Sequence, residues 1–322
     1  MKKVILSALL FVAGATFAQE SKLSVSGSID TYYKSNLNGT NVQSDGSFLT
    51  PATSFADASG FALGMANVVL GYEGEKVGFV ADLVYGPKGG QASNTTLNQL
   101  YAYMNISDKA TLTVGKFNTY LGYEVISPTG NFFYSTSYMF SNGPFSHTGV
   151  KLDVAVNEDF SYALAIMNPT DVTELNPTAS YVLGGQLGYK GQFLNVRYGD
   201  EGADTNTFQI DYTGGFDLSE SFYLGINATS KTDDMDDEFY GAALYAQYTT
   251  SEKFAVGLRP EYFNANDEAI IALTLSGNYK VAEGLTIIPE IRVDNYEDDI
   301  ILSPTDAGKS LASVLVAAVY SF

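Results

Sequence analysis

The chain has 322 residues, with 17 Lys and Arg against 36 Asp and Glu, one His and no Cys. The lack of Cys excludes disulfide scaffolds, thiolate metal sites, Cys nucleophiles and Cys-linked lipid anchors, and a net charge of −19 argues against nucleic-acid binding. With one His, a His-based metal or hydrolytic centre has few candidates, so we expect no enzyme, no cofactor and no metal site.

The first segment of the chain has the pattern of a secretory signal peptide. Lys2 and Lys3 precede an apolar run over residues 4–15, and small residues stand at Thr16 and Ala18. The alternative, a membrane anchor, needs about 20 apolar residues to span a bilayer. The sequence therefore predicts a cleaved signal over residues 1–18, export of the protein, and one domain over residues 19–322.

Beyond this segment, apolar and polar residues alternate with period two, as in half-buried β-strands. Phe208, Ile210 and Tyr212 alternate with polar neighbours in one such segment. We find no convincing helix-period segment. The predicted strands are 22–34, 61–73, 76–86, 97–106, 110–117, 147–156, 159–168, 180–190, 192–200, 205–216, 220–230, 238–250, 254–264, 268–280, 284–293 and 312–322.

Sixteen strands, with fourteen as the fallback, and every second link short predict a single antiparallel all-β barrel in a bacterial outer membrane. Several of the intervening links are longer, at 35–60, 87–96, 118–146, 169–179, 231–237 and 294–311. This pattern places both chain ends at the short-turn, periplasmic rim. A soluble β-sandwich is the alternative, but it does not require near-equal strands or alternating link lengths.

The polar strand faces carry charges, which a packed core would accommodate only at several kcal/mol per ion. A watery lumen accommodates them readily, so we expect the apolar faces to meet lipid. Tyr residues near strand ends predict aromatic girdles at the two membrane interfaces. Pro260 and Pro289 lie within predicted strands, where they suggest bulges.

The last predicted strand has Val314, Val316, Ala318, Tyr320 and Phe322 on one face. A terminal strand that ends on Phe predicts recognition by the outer-membrane barrel assembly machinery. An ordinary edge strand that ends on Phe is the alternative reading. We therefore expect the outer membrane as the location, with its lipid and lipopolysaccharide as partners.

Residues 118–146 form a long, aromatic-rich link that is too apolar for a solvated loop tip. We predict that this loop folds into the lumen and narrows it. The alternative is an extracellular Ω-loop that packs on its own aromatic side chains.

A resemblance to a known family rests on this segment, which reads GKF-x-T-x-x-G-Y-E-V-I-x-P, then N-F-F-Y-S, then F-S-N-G-P-F-S-H-T-G between Gly115 and Gly149. It resembles the putative beta-barrel porin-2 (OmpL-like) family of Gram-negative outer-membrane proteins. The resemblance covers roughly residues 97–168, and the rest of the chain is similar in strand pattern. It implies a porin, that is, a passive diffusion channel, with no catalytic site and no defined solute.

The expected function is therefore passive diffusion of small hydrophilic solutes and ions, with a mild preference for cations. The alternative is a non-conducting barrel with an adhesive or structural role. A homotrimer and a monomer both remain open. The predicted pore-lining and constriction residues are Lys116, Tyr123, Glu124, Lys151, Asp153, Arg197, Asp211, Arg259, Glu261, Glu290 and Arg292.

Two further features have competing interpretations. His147 either titrates and gates the loop or serves as a structural hydrogen-bond partner. The acidic residues between Asp233 and Glu238 either bind a divalent cation or form a solvated surface loop, and we favour the second interpretation in both cases.

Overall fold

The computed structural model describes residues 23–50, 53, 55–93, 96–202, 205–303 and 307–322. The predicted signal peptide, residues 1–18, lies outside these ranges. Among the described residues, no helix is long and apolar enough to cross a membrane.

Sixteen antiparallel strands close into one barrel, in which the first strand pairs with both the second and the last. The barrel strands are β1 Leu23–Asn36, β2 Gly60–Glu73, β3 Val77–Tyr85, β4 Leu97–Ser107, β5 Ala110–Asn118, β6 Ser146–Ala155, β7 Phe160–Met167, β8 Val182–Tyr189, β9 Gln192–Asp200, β10 Asn206–Asp217, β11 Phe222–Asp233, β12 Phe239–Thr249, β13 Phe254–Ala265, β14 Glu268–Ala282, β15 Leu285–Tyr296 and β18 Ser310–Ser321. The predicted architecture is confirmed, including the strand number.

Every second link is a turn of two to four residues, as expected, and the links between them are longer except at β13–β14, where residues 266–267 form a two-residue turn. Four long links matter below: L1 (37–59), L2 (86–96), L3 (119–145) and L4 (168–181). L2 contains helix α1, Pro87–Ser93, and L3 contains a 3-10 turn at Pro128–Gly130 and helix α2, Tyr138–Asn142. The link before β18 carries a small ladder between β16, Ile301–Leu302, and β17, Ala307–Gly308.

The two strand faces have opposite chemistry. Leu164, Ile271 and Val316 are each about half exposed on the outer face, where lipid would cover them. Tyr residues near strand ends are also exposed there: Tyr85, Tyr189, Tyr198, Tyr248, Tyr262, Tyr279 and Tyr320. The inner face carries the polar and charged side chains, so the barrel is apolar outside and polar inside.

Pro260 and Pro289 do not produce bulges, and that expectation is wrong. The pairing of β13 with β12 keeps one register on both sides of Pro260, and the pairing of β14 with β15 keeps one register on both sides of Pro289. Each Pro still pairs with its other neighbour, at Leu273 and Val316. A proline can therefore sit in these central strands because only one of its two ladders is interrupted.

The barrel closes where β1 meets β18. The backbone of Phe322 exchanges two hydrogen bonds with Gly27, at 3.1 and 3.2 Å. The Phe322 ring crosses the open side of Gly27, where a β-carbon would lie 2.9 Å from the ring. The terminal aromatic residue thus completes the barrel wall and leaves its side chain 58% exposed.

Candidate functional site

L3 lies inside the barrel, as its composition predicts. Residues 133–140 are all buried, although they belong to a loop. The contacts of L3 as a whole reach β9 to β15 and β1, so the loop, which leaves β5 and returns to β6, crosses the lumen. This long segment of loop backbone is withdrawn from water and needs hydrogen-bond partners.

Wall carboxylates supply many of these partners. Asp211 on β10 accepts a hydrogen bond from the Gly122 amide at 2.9 Å, and Glu261 on β13 accepts one from the Met139 amide at 3.1 Å. Glu290 on β15 accepts from the Tyr134 and Ser135 amides at 2.6 and 3.0 Å. Hydrogen bonds to an ionised acceptor are about twice as strong as neutral ones, so these carboxylates anchor L3.

Two wall arginines hold the same loop from its carbonyl side. Arg259 donates to Glu124 at 2.6 Å and to the Ser135 carbonyl at 2.7 Å. Arg292 donates to the Thr136 carbonyl at 2.7 Å and to Asp294 at 2.8 Å. Each guanidinium therefore serves a carboxylate and a loop carbonyl together, a use that suits its planar fork of donors.

Glu124 belongs to L3 and is buried, with 4% of its surface exposed. Besides Arg259, it accepts hydrogen bonds from the Ser137 amide at 2.8 Å and the Ser137 hydroxyl at 2.5 Å. Its charge is therefore compensated within the lumen and does not face a solvent channel. Glu124 and Arg259 form a buried ion pair between the loop and the wall.

Inward-facing glycines make room for the loop. A β-carbon at Gly225 on β11 would lie 2.4 Å from the Tyr123 hydroxyl, and one at Gly257 on β13 would lie 2.4 Å from the Phe132 ring. Gly184 on β8 receives the Tyr120 hydroxyl in the same way. The wall is thus recessed at the places where L3 presents its aromatic side chains.

Tyr123 stacks on Tyr245 of β12, with ring centroids 4.1 Å apart, and its hydroxyl donates to Tyr223 of β11 at 3.3 Å. The Tyr120 hydroxyl donates to the Val196 carbonyl at 3.0 Å. Burial raises the pKa of both phenols, so they stay neutral donors at physiological pH. Their rings serve to pack L3 against the wall.

The position of Lys116 differs from the expectation. It pairs with Leu100 of β4 and shares a strand face with Val114, and both of these side chains are half exposed on the outer surface. The Lys116 ammonium donates to the Leu97 carbonyl at 3.0 Å and to Thr173 of L4 at 2.9 Å. Lys116 is buried under L4 on the outer side and does not line the lumen.

L4 is also tied to the end of L3. The Asp171 carboxylate accepts hydrogen bonds from the Phe145 and Ser146 amides at 3.0 and 2.7 Å. Burial raises the pKa of Asp171, and these hydrogen bonds oppose the shift. L4 therefore covers Lys116 and fixes the point where L3 enters β6.

Arg197 on β9 faces the lumen near the loop rim. It donates to Gln209 of β10 at 2.7 Å, and it also contacts Thr170 of L4 and Glu201 beyond the end of β9. This arginine is 4% exposed. It joins a loop to the wall, as Arg259 and Arg292 do.

Lys151 and Asp153 on β6 retain contact with solvent. Their charged groups lie 2.8 Å apart, with 21% and 40% of the two side chains exposed. Both face inward on the part of the wall that L3 does not cover. Of the predicted pore-lining charges, these two are the ones that a passing ion could meet.

His147 is buried at the end of L3. Its Nε2 atom lies 2.9 Å from the Thr119 hydroxyl, and its ring lies 5.4 Å from the Tyr120 ring. These contacts join the first residues of L3 to the start of β6, directly after the loop ends. The geometry matches the structural interpretation of this His.

The acidic run is organised around the end of β11. Asp233 accepts amide hydrogen bonds from Met235 and Asp237 at 2.8 and 2.9 Å, and Lys231 lies 2.6 Å from Asp237. Across the described ranges, no group of three or more His, Cys, Asp and Glu residues is arranged to hold a metal ion. The carboxylate oxygens of Asp233 and Asp237 therefore accept hydrogen bonds from backbone amides and from a lysine.

Sequence reasoning missed Lys88 of α1, which is 3% exposed. Its ammonium lies 3.6 Å from Asp30 of β1, among three aromatic rings. A lysine in a Gly-rich link gives no periodic signal, so the sequence pattern does not show that it is buried.

Little space remains where L1, L3 and the β15–β18 wall meet. The pocket there has a volume of about 20 Å³, enough for one or two water molecules. Lys34, Asp57, Ser135 and Arg292 are among its lining residues. Residues of L1 and L3 thus line this small cavity together with the barrel wall.

Comparison with known proteins agrees with this geometry. The sequence pattern of one family, described as putative beta-barrel porin-2, OmpL-like, matches residues 22–322. The chain belongs to this porin family. No curated protein matches the sequence. The family match extends the resemblance from the L3 region to nearly the whole chain and gives the porin an outer-membrane location.

Solved porins share its fold. The outer membrane channel DcaP of Acinetobacter baumannii has a TM-score of 0.62 at 11% identity, over 93% of this chain and 97% of that one. An anion-selective porin from Comamonas acidovorans has a TM-score of 0.62 at 11% identity, over 93% of this chain and 99% of that one. OmpT of Vibrio cholerae in its trimer form has a TM-score of 0.54 at 12% identity, over 93% of this chain and 99% of that one.

Proposed function

We propose that this porin is a passive diffusion channel for small hydrophilic solutes and ions, and that L3 sets its constriction. The observation that carries the proposal is the path of L3 across the lumen, anchored on Asp211, Glu261 and Glu290. Solutes would pass beside L3, along the wall that carries Lys151 and Asp153. A polar wall and a narrow cross-section would select by size and charge.

The first test is single-channel conductance of the refolded mature protein in a planar bilayer. We expect discrete, long-lived current steps. Removing residues 128–143 should enlarge the steps, because most of the buried part of L3 is lost. A matched control removes residues 234–237, a solvent-exposed loop segment, and should leave the steps unchanged. Equal conductance of wild type and the L3 deletion would contradict the constriction.

A non-conducting barrel is the second candidate, and the burial of residues 133–140 favours it. In that case L3 acts as a permanent plug, and the protein has an adhesive or structural role. A folded, heat-modifiable protein without current would support this candidate. Current in the L3 deletion alone would identify the loop as the plug.

The remaining parts of the proposal concern selectivity, export and assembly. The excess of 36 acidic over 17 basic residues supports a mild preference for cations, and an anion-selective reversal potential would contradict it. We further propose a cleaved signal at residues 1–18, insertion by the barrel assembly machinery through Phe322, contact with lipopolysaccharide, and no enzymatic activity. A homotrimer is the proposed assembly, and sedimentation in detergent would distinguish it from a monomer.

A further inference from the structure

Lys88 carries an ammonium group into the interior of the barrel. Its side chain is 4% exposed, and it comes from α1 in L2. Lysine is almost never fully buried unless it is paired, because the ammonium loses its hydration when it is withdrawn from water. The groups around it must therefore compensate for the lost hydration.

Three aromatic rings surround this ammonium. The Lys88 nitrogen lies 3.5 Å from the ring centroid of Tyr134, 5.1 Å from that of Phe55 and 5.6 Å from that of Tyr32. All three distances lie within the range of cation–π attraction. The Asp30 carboxylate adds a counter-charge at 3.6 Å. Aromatic faces with one carboxylate are the chemistry that binds organic ammonium ions.

These groups come from separate parts of the chain. Asp30 and Tyr32 belong to β1, Phe55 to L1, Tyr134 to L3 and Lys88 to L2. Asp30 also accepts a hydrogen bond from the Tyr134 hydroxyl at 2.5 Å and one from the Met65 amide at 3.1 Å. One carboxylate thus holds both the ammonium and the loop residue that covers it.

We propose that Asp30, Tyr32, Phe55 and Tyr134 form a binding site for a primary ammonium ion, that Lys88 fills this site from within the same chain, and that its occupancy locks L3 in its position across the lumen. Removing the ammonium takes away the attraction that joins L1, L2 and L3. L3 then keeps its other anchors, including the hydrogen bond from Tyr134 to Asp30 of β1, but loses its attachment to L2. The site would accept a free alkylammonium ion when Lys88 is shortened.

Chemical rescue tests the site directly. Lys88→Ala removes the atoms that n-propylammonium would replace. We expect the melting temperature of the refolded variant to fall below that of wild type and to rise saturably with n-propylammonium. Propan-1-ol has a similar size but no charge, and it should not restore the melting temperature of Lys88→Ala. Wild type should not respond to n-propylammonium, because Lys88 already fills the site.

Two variants make the result specific. Lys190 also lies against an aromatic ring, 5.3 Å from Tyr189, but its side chain is 56% exposed at a turn. Lys190→Ala should neither lower the melting temperature nor create a response to the amine. Lys88→Ala combined with Asp30→Asn should need about ten-fold more n-propylammonium for half of the effect, since a charged hydrogen-bond acceptor is lost. An equal response in wild type, Lys88→Ala and Lys190→Ala would overturn the proposal.

Conductance tests the lock on L3, and this arm rests on the proposed channel function. Lys88→Ala should show larger or less stable current steps, and n-propylammonium should return them to the wild-type pattern. If the current steps are unchanged but n-propylammonium restores the melting temperature, the ammonium site exists and its proposed effect on the position of L3 is wrong. If even the L3 deletion passes no current, the channel function fails, while the thermal assay still decides whether the site exists.

Discussion

Arg259 is among the most buried side chains of the described barrel, at 1% exposure. Its guanidinium pairs with Glu124 and reaches a loop carbonyl, so it joins the wall to L3 inside the barrel. Glu261 and Glu290 also join the wall to L3, as carboxylates that accept hydrogen bonds from backbone amides of the loop. At the scale of single residues, the charges predicted to line the pore are mostly the groups that hold the loop.

Replacing Arg259 should therefore destabilise the barrel strongly. Arg259→Met leaves the buried Glu124 carboxylate without its partner, which typically costs about 3–5 kcal/mol. Unfolding in urea, followed by heat-modifiable migration, measures the loss. The double variant Arg259→Met with Glu124→Gln should recover part of it. Purely additive effects of the two substitutions would show that the pair does not interact.

The pH dependence of stability should carry a contribution from Lys88. Burial lowers the pKa of this amine to about 8 from 10.5, against the attraction of Asp30, Glu290 and Asp57. Between these two values the folded chain releases the proton while the unfolded chain keeps it, so the contribution of Lys88 to stability increases as pH rises through this window. Below about pH 8 the contribution is at its minimum and constant.

Comparison with Lys88→Met isolates this contribution, because Met keeps most of the volume and cannot titrate. The stability of wild type relative to Lys88→Met should increase from pH 8 to pH 10.5 and stay level below pH 8. Tyr32 and Tyr134, which also face Lys88, are present in both proteins. A difference that does not change with pH would mean that the amine is not buried.

At the scale of elements, L3 and the recesses in the wall are complementary. The glycines that face inward on β8, β11 and β13 each lie against an aromatic residue of the loop. The path of L3 is therefore encoded in the strands as well as in the loop. A larger side chain at one of these positions should displace the loop without preventing barrel closure.

Gly225→Val tests this complementarity. The new side chain would overlap the Tyr123 hydroxyl, which lies 2.4 Å from the position of a β-carbon. We expect a folded barrel with altered single-channel conductance. Gly308→Ala is the control, because nothing lies within 4 Å of its β-carbon position. Adding Tyr123→Ala to Gly225→Val should restore wild-type conductance, and failure to do so would exclude this contact as the cause.

The strands and the inward loop could be predicted from the sequence, because both depend on local patterns. Alternation places Asp211, Glu261 and Glu290 on the inner face, and the aromatic content of L3 requires burial. Lys116 shows the limit of this reasoning. It is charged within a strand, and only the covering loop L4 makes an outward position acceptable. Likewise, alternation cannot show that Arg259 meets Glu124, which is 135 residues away.

At the scale of the whole molecule, the uncovered wall should control which ions pass. Lys151 and Asp153 have opposite charges on one strand face, so each offsets the other. Asp153→Asn should shift the reversal potential toward anions, and Lys151→Gln should shift it toward cations. Lys109→Gln in the short turn between β4 and β5 is the matched control. Identical shifts from Lys151→Gln and Lys109→Gln would mean that ions do not pass this part of the wall.

The anchoring of L3 on wall charges has a consequence for any state in which the loop leaves the lumen. Asp211, Glu261 and Glu290 would lose their amide donors and face water, together with Arg259 and Arg292. The wider pore would then expose a belt of three acids and two bases that the closed barrel conceals. In such a porin, the position of L3 would determine both the width of the pore and its preference for cations or anions.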